Sequence, residues 1–78
     1  MPKLAVGTII RVHGWLMLAR LEEGDYKVSE ISEFMGEPTY VFTKRRGKKR
    51  IVSHYCRKVD FWVGGPDIGG NRIEIVRQ

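Results

Sequence analysis

The sequence predicts a mostly β protein, a small five-stranded curved sheet or barrel with a short helical or 3₁₀ turn near residues 58–63. Three observations carry this. Apolar residues recur at period two in short runs, Gly and Pro punctuate those runs, and no segment sustains the period of 3.6 that a long helix needs. The 78 residues, 42% apolar and 29% charged, suit a single domain over residues 1–78. A chain of this size buries roughly 60% of the surface exposed by its unfolded form.

The first expected strand is Thr8–Val12, where Ile10 and Val12 alternate with Ile9 and Arg11 after a turn at Gly7. Leu16, Met17, Leu18 and Leu21 then share the spacing of a helix face. Gly14 and Gly24 bracket them closely, which limits any helix starting near Trp15 to two turns. The second strand, Asp25–Ser32, puts Tyr26 and Val28 on one face, while Ile31 falls on the other unless a bulge or sharp bend near Glu30 restores it.

The third strand is Thr39–Thr43, rich in β-branched and aromatic residues and bounded upstream by Gly36 and Pro38. Tyr40 and Phe42 share a face and are assigned to the core. The fourth run, Arg50–Tyr55, pairs with it as a β-hairpin whose turn contains Gly47, a residue that adopts positive φ without steric cost. Val59, Trp62 and Val63 mark one helical turn, closed by Gly64 and Gly65, and a last strand covers Arg72–Val76.

This order resembles the Src-homology-3-like small barrels. The residues that carry the resemblance are the entry Leu4–Val12 (LAVGTIIRV), the pattern of Gly24, Tyr26, Val28 and Ile31, and the turn around Val59–Trp62 before the final strand. The resemblance implies a small barrel of a kind that serves nucleic-acid binding, ribosomal and transcription-associated assemblies, or peptide binding. The fold alone does not choose among these.

Charge is distributed unevenly. Six of the fourteen Lys and Arg residues lie in Lys44–Arg50 (KRRGKKR), and the other eight against nine Asp and Glu leave a charge of −1, although the whole chain carries +5. The basic character is therefore local, and it falls on the expected hairpin tip. Cations gathered there bind a polyanion by releasing its condensed counterions, so the expected partner is DNA or RNA.

Arg45, Arg46, Lys48 and Lys49 are the expected tip contacts, with Lys44 and Arg50 at the base of the hairpin. Tyr55 is the candidate ring for stacking on an unpaired base, and Arg57 and Lys58, with Arg11, are candidates to extend the footprint. The acidic cluster Glu22, Glu23 and Asp25 reads as a polar turn, or as a surface that repels nucleic acid and orients it. The apolar run Trp15, Leu16, Met17 and Leu18 reads as a cap on the core or as a patch for a protein partner. In the latter case the protein is an interaction module or small regulator whose basic hairpin docks on an acidic partner.

Other chemistries are poorly supplied. His54 and Cys56 have the i, i+2 spacing of two ligands on one strand face, but only His13 remains as a third where a structural zinc site takes four. No metal or other cofactor is expected. Cys56 as a nucleophile would need a positioned base and an oxyanion site, so no enzyme activity is expected. The segment Gly64–Gly70 (GGPDIGG) lacks the Gly-Lys-Ser/Thr ending of a P-loop and the spacing of a dinucleotide fingerprint.

No apolar run approaches the roughly 18 residues of a membrane span. The clustered cations lack the lipidation motif or amphipathic helix that would join them in surface attachment. With one cysteine and no signal-peptide pattern, the expected location is cytoplasmic.

Overall fold

The computed structural model describes residues 3–16, 20–53, 56–65 and 69–78. Five strands and one helix follow in the order β1 (Ile9–His13), β2 (Gly24–Phe34), β3 (Glu37–Lys44), β4 (Arg50–Ser53), α1 (Cys56–Trp62) and β5 (Arg72–Arg77). The strands form one antiparallel sheet in the order β4-β3-β2-β1-β5.

The sheet does not close into a barrel. Chain leaving α1 occupies the flank of β5 where a closing strand would sit: Val63 bridges Ile73 in parallel, and the Gly64 amide donates to the Ile73 carbonyl at 3.0 Å.

The curvature expected in β2 has an identifiable origin. Its pairing with β3 runs Val28 opposite Phe42 and then Glu30 opposite Val41, so Ser29 is an extra residue in the ladder. The bulge returns Ile31 to the core face opposite Tyr40, where it packs against the buried cluster. The Ser29 hydroxyl is hydrogen-bonded to that of Thr43 across the two strands.

Strands β2 and β3 run further toward each other than Ser32 and Thr39, because their connection is the two-residue turn Met35-Gly36. Both residues have positive φ, 51° and 81°, as a type I′ hairpin turn requires. Pro38 is accommodated inside β3. Phe34 and Glu37 close the turn, so the next pair, Glu33 and Pro38, turns its backbone nitrogens away from the ladder shared by β2 and β3.

The described residues of the expected helix near Trp15 are not helical. Leu16 and Leu21 are instead an antiparallel pair that exchanges both backbone hydrogen bonds, at 2.8 and 3.1 Å. Both side chains are buried. Burying Leu16 and Leu21 from opposite arms of the loop satisfies both leucines, and it also pairs their amides. The short helix before β5 begins two residues earlier than expected.

The core lies on one face of the sheet and combines Ile10, Val12, Tyr26, Val28, Tyr40, Phe42 and Ile73 with Leu4, Leu16, Leu21 and Val59. Phe42 is central, its ring 6.2 Å from that of Tyr26 and 5.5 Å from that of Tyr40. The assignment of Tyr40 and Phe42 to the core holds.

The Tyr40 hydroxyl ties three segments together. It accepts from the Leu4 amide at 2.9 Å and donates to Asp60 Oδ1 at 2.5 Å, while the Lys3 amide donates to the same carboxylate oxygen at 3.1 Å. Tyr40→Phe leaves the buried Leu4 amide without this acceptor and should cost about 1–3 kcal/mol. Urea denaturation checks this: the midpoint should fall with an unchanged slope, and an unchanged midpoint would refute the role.

Candidate polyanion-binding surface

The basic run forms the β3–β4 connection. Thr43 faces Arg50, the Lys44 amide donates to the Lys49 carbonyl at 2.7 Å, and residues 45–48 form the turn. Gly47 and Lys48 have φ of 79° and 52°, the left-handed geometry that reverses the chain. The tip is short and anchored. Lys44 still pairs with Tyr26 of β2, and the Arg45 amide donates to the Asp25 carbonyl at 3.1 Å.

Only residues 45–49 extend past the sheet, so the tip is a firm cationic knob and not a long arm able to penetrate a groove. Arg45, Arg46, Lys48 and Lys49 are all exposed.

The six cations are not equivalent. Lys44 Nζ lies 2.9 Å from Glu22 Oε1, and Arg50 reaches Glu30 at 3.5 Å. Among the described residues no carboxylate lies within 4 Å of Arg45, Arg46, Lys48 or Lys49. The two residues at the hairpin base are thus each paired with a carboxylate, while the four at the tip have none within 4 Å among the described residues.

The acidic cluster sits beside this tip. Glu23 and Asp25 border a cleft of about 480 Å³ together with Gly24, Lys44, Arg45 and Arg46. A hydrogen bond from Lys44, with its positive charge, holds the Glu22 carboxyl below the usual carboxylate range. Asp25 is held low chiefly by its hydrogen bond from Arg11 at 2.9 Å, with burial opposing the shift. What these pairs add to stability is present at neutral pH and lost as pH falls through the depressed pKa values. It is small because the groups are exposed.

Of the residues expected to widen the footprint, Arg57 and Lys58 are separated from the tip, while Arg11 lies beside it but is engaged. Arg11 is taken up by Asp25 and by Glu74 at 3.9 Å. Arg57 lies 3.9 Å from Glu37, at the start of β3. The seven residue steps from Glu37 to Lys44, at about 3.3 Å each, put Arg57 roughly 23 Å from the basic turn. Lys58 is exposed on the same short helix. These two side chains are at the other end of the sheet because β4 runs away from the tip before α1 begins.

Tyr55 and His54 lie outside the described residues, as does the Cys56 side chain. Of the apolar run, Trp15 is 59% exposed, whereas Leu16 is buried and therefore unavailable to a partner. Met17 and Leu18 lie outside the described residues. His13 Nε2 stands 3.5 Å from Glu74, and the described residues contain no group of three or more His, Cys, Asp or Glu placed to hold a metal. No helix among them is long and apolar enough to cross a membrane.

One cation that sequence spacing does not single out joins the surface. Arg20, at the end of the long β1–β2 connection, borders a second cleft of about 360 Å³ with Lys49, Arg50, Ile51 and Val52. Nothing in its local sequence marks it, because the juxtaposition arises only when the loop folds back through the Leu16–Leu21 pair. Comparison of the chain with protein families, with characterised proteins and with solved structures finds no match.

Proposed function

We propose that the chain is a non-catalytic nucleic-acid-binding module of the Src-homology-3-like type that holds the phosphate backbone of DNA or RNA on its β3–β4 turn. The strand order and the helical turn between β4 and β5 support the fold relationship. The observation that carries the function is the unequal pairing of the basic run: Lys44 and Arg50 have carboxylates within 4 Å, and among the described residues Arg45, Arg46, Lys48 and Lys49 have none so close.

Four exposed cations on a turn anchored to β2 lose little conformational freedom in the backbone when they meet a polyanion. Their contacts to phosphate are independent of sequence and weaken with salt. The neighbouring Glu23 and Asp25 carboxylates disfavour approach from the β2 side and so give the complex an orientation. Titration against duplex DNA, single-stranded DNA and RNA over a range of salt concentrations tests the reading. Binding should weaken linearly on a log–log plot, and no binding to any of the three at low salt would refute it.

A second reading is an interaction module whose basic turn docks on an acidic protein surface. The exposed Trp15 ring favours it, since a large aromatic side chain in solvent is a common interface anchor. Absence of nucleic-acid binding would leave this reading standing.

A further inference from the structure

We infer that the cleft on the open edge of β4 receives a nucleotide of an unpaired strand, so that the protein selects single-stranded over duplex nucleic acid. This inference rests on the nucleic-acid-binding reading and adds to it a strand preference and a residue, Arg20.

The argument begins with the edge itself. β4 is the last strand of the sheet on its side. The Lys44 amide bonds to the Lys49 carbonyl, and the register continues as Phe42 opposite Ile51 and Tyr40 opposite Ser53. In an antiparallel ladder bonded pairs alternate with non-bonded ones, so the backbone groups of Ile51 and Ser53 face β3, while those of Arg50 and Val52 face the open edge. The edge therefore offers amide donors and carbonyl acceptors at the height of a base edge.

The lining matches a nucleotide in two further respects. Arg20 and Lys49 supply positive charge beside Arg50, while the side chain of Val52, 39% exposed, supplies apolar surface; Ile51 borders the cleft but turns its side chain to the core. Phosphate requires the first and a base face the second. The volume of about 360 Å³ falls at the lower end of the roughly 300–1,000 Å³ range of small-ligand sites.

The cations also form a track. Lys49 belongs both to the cleft and to the tip, so a flexible strand lying on Arg20 and Lys49 is led to the basic turn at Lys48. A duplex keeps its bases stacked inside and presents phosphates on a convex surface. It can reach the knob but cannot put a base into a concave edge. An acidic peptide paired to the edge would meet only the four residues of β4, and it carries no regular charge to continue round the turn.

Arg20 provides a clean test because its φ is 57°, a conformation that glycine adopts without strain. Arg20→Gly thus removes the guanidinium while respecting the loop, and Arg20→Lys retains the charge. Fluorescence anisotropy of the full chain with a labelled short oligothymidylate, and with a duplex of the same length, would be followed over about 50–200 mM salt.

The single strand should bind measurably tighter than the duplex. Arg20→Gly should weaken single-strand binding and reduce its salt slope by about 0.7, with duplex affinity unchanged, and Arg20→Lys should restore most of the loss. Equal or tighter duplex binding would overturn the inference alone. So would an Arg20→Gly chain of unchanged single-strand affinity, or competition by polyglutamate as effective as that of unlabelled oligothymidylate. Failure to bind either oligonucleotide at low salt would instead overturn the function on which it rests.

Discussion

Replacing Arg45, Arg46, Lys48 and Lys49 together by Ala should reduce the slope of log affinity against log salt by roughly three for any nucleic acid the protein binds. Each phosphate contact contributes about 0.9 to that slope on B-form DNA and about 0.7 on single strands. At low salt the same change should lower affinity by about a hundredfold or more, because most of the counterion release is lost. Folding should be nearly unaffected: all four side chains are exposed, and none has a carboxylate within 4 Å among the described residues. Such surface substitutions usually change stability by no more than about 0.5 kcal/mol each.

Lys44→Ala provides the contrast. Its ammonium is engaged with Glu22, so removing it should change the slope less than removing any one tip cation. A quadruple variant that keeps the full slope would show that the turn is not the contact surface. A quadruple variant that fails to fold would be recognised by its circular dichroism, and the single substitutions would then carry the measurement.

The largest effect on stability is expected at Phe42. This side chain is fully buried and touches the rings of Tyr26 and Tyr40 at the centre of the core. Phe42→Ala removes most of that apolar surface and leaves a cavity that three rigid strands around it cannot close. The cost should be about 3–5 kcal/mol. A chain of this length has a total stability of roughly 4–12 kcal/mol, so the substitution takes away a large share of it.

Thermal unfolding followed by circular dichroism should show a melting temperature at least about 12 °C lower than that of the unchanged chain. A fall of a few degrees would mean that the sheet face relaxes into the space. By comparison, Tyr40→Phe keeps the ring and its packing and removes only hydrogen bonds, so it should have the smaller effect of the two.

The strands are legible in the sequence because their signals are local. Alternation places Tyr26 with Val28, and Tyr40 with Phe42, whatever the rest of the chain does. The misplaced phase of Ile31 is itself a local fact, and the extra residue Ser29 is its structural consequence. Boundaries are less legible where a tertiary neighbour decides them. Pro38 reads as a strand boundary in isolation, yet it belongs to β3 because the register of the turn with β2 points its nitrogen away from their ladder.

The connection between Gly14 and Gly24 defeats a local reading for a related reason. Leu16, Met17, Leu18 and Leu21 fit a helical stripe by spacing, and local spacing cannot distinguish that stripe from two arms of a loop folded onto each other. The reciprocal bonds between Leu16 and Leu21 depend on a core that accepts both side chains at once. The same fold-back brings Arg20 to the β4 cleft, so the loop's pairing and the place of Arg20 are hidden from the sequence by one cause.

What the amino-acid order determined by itself was the β character, the shared faces of Tyr26 with Val28 and of Tyr40 with Phe42, and the concentration of charge in Lys44–Arg50, since all three follow from side-chain chemistry at short range. Only the tertiary structure decided which of those charges are available. Glu22 and Glu30 pair with Lys44 and Arg50 from the preceding loop and from β2, and Arg20 reaches the β4 edge from the β1–β2 connection. Ion pairing and cleft formation depend on distances across the chain, set by strand register and loop closure, and those distances do not exist until the sheet has formed.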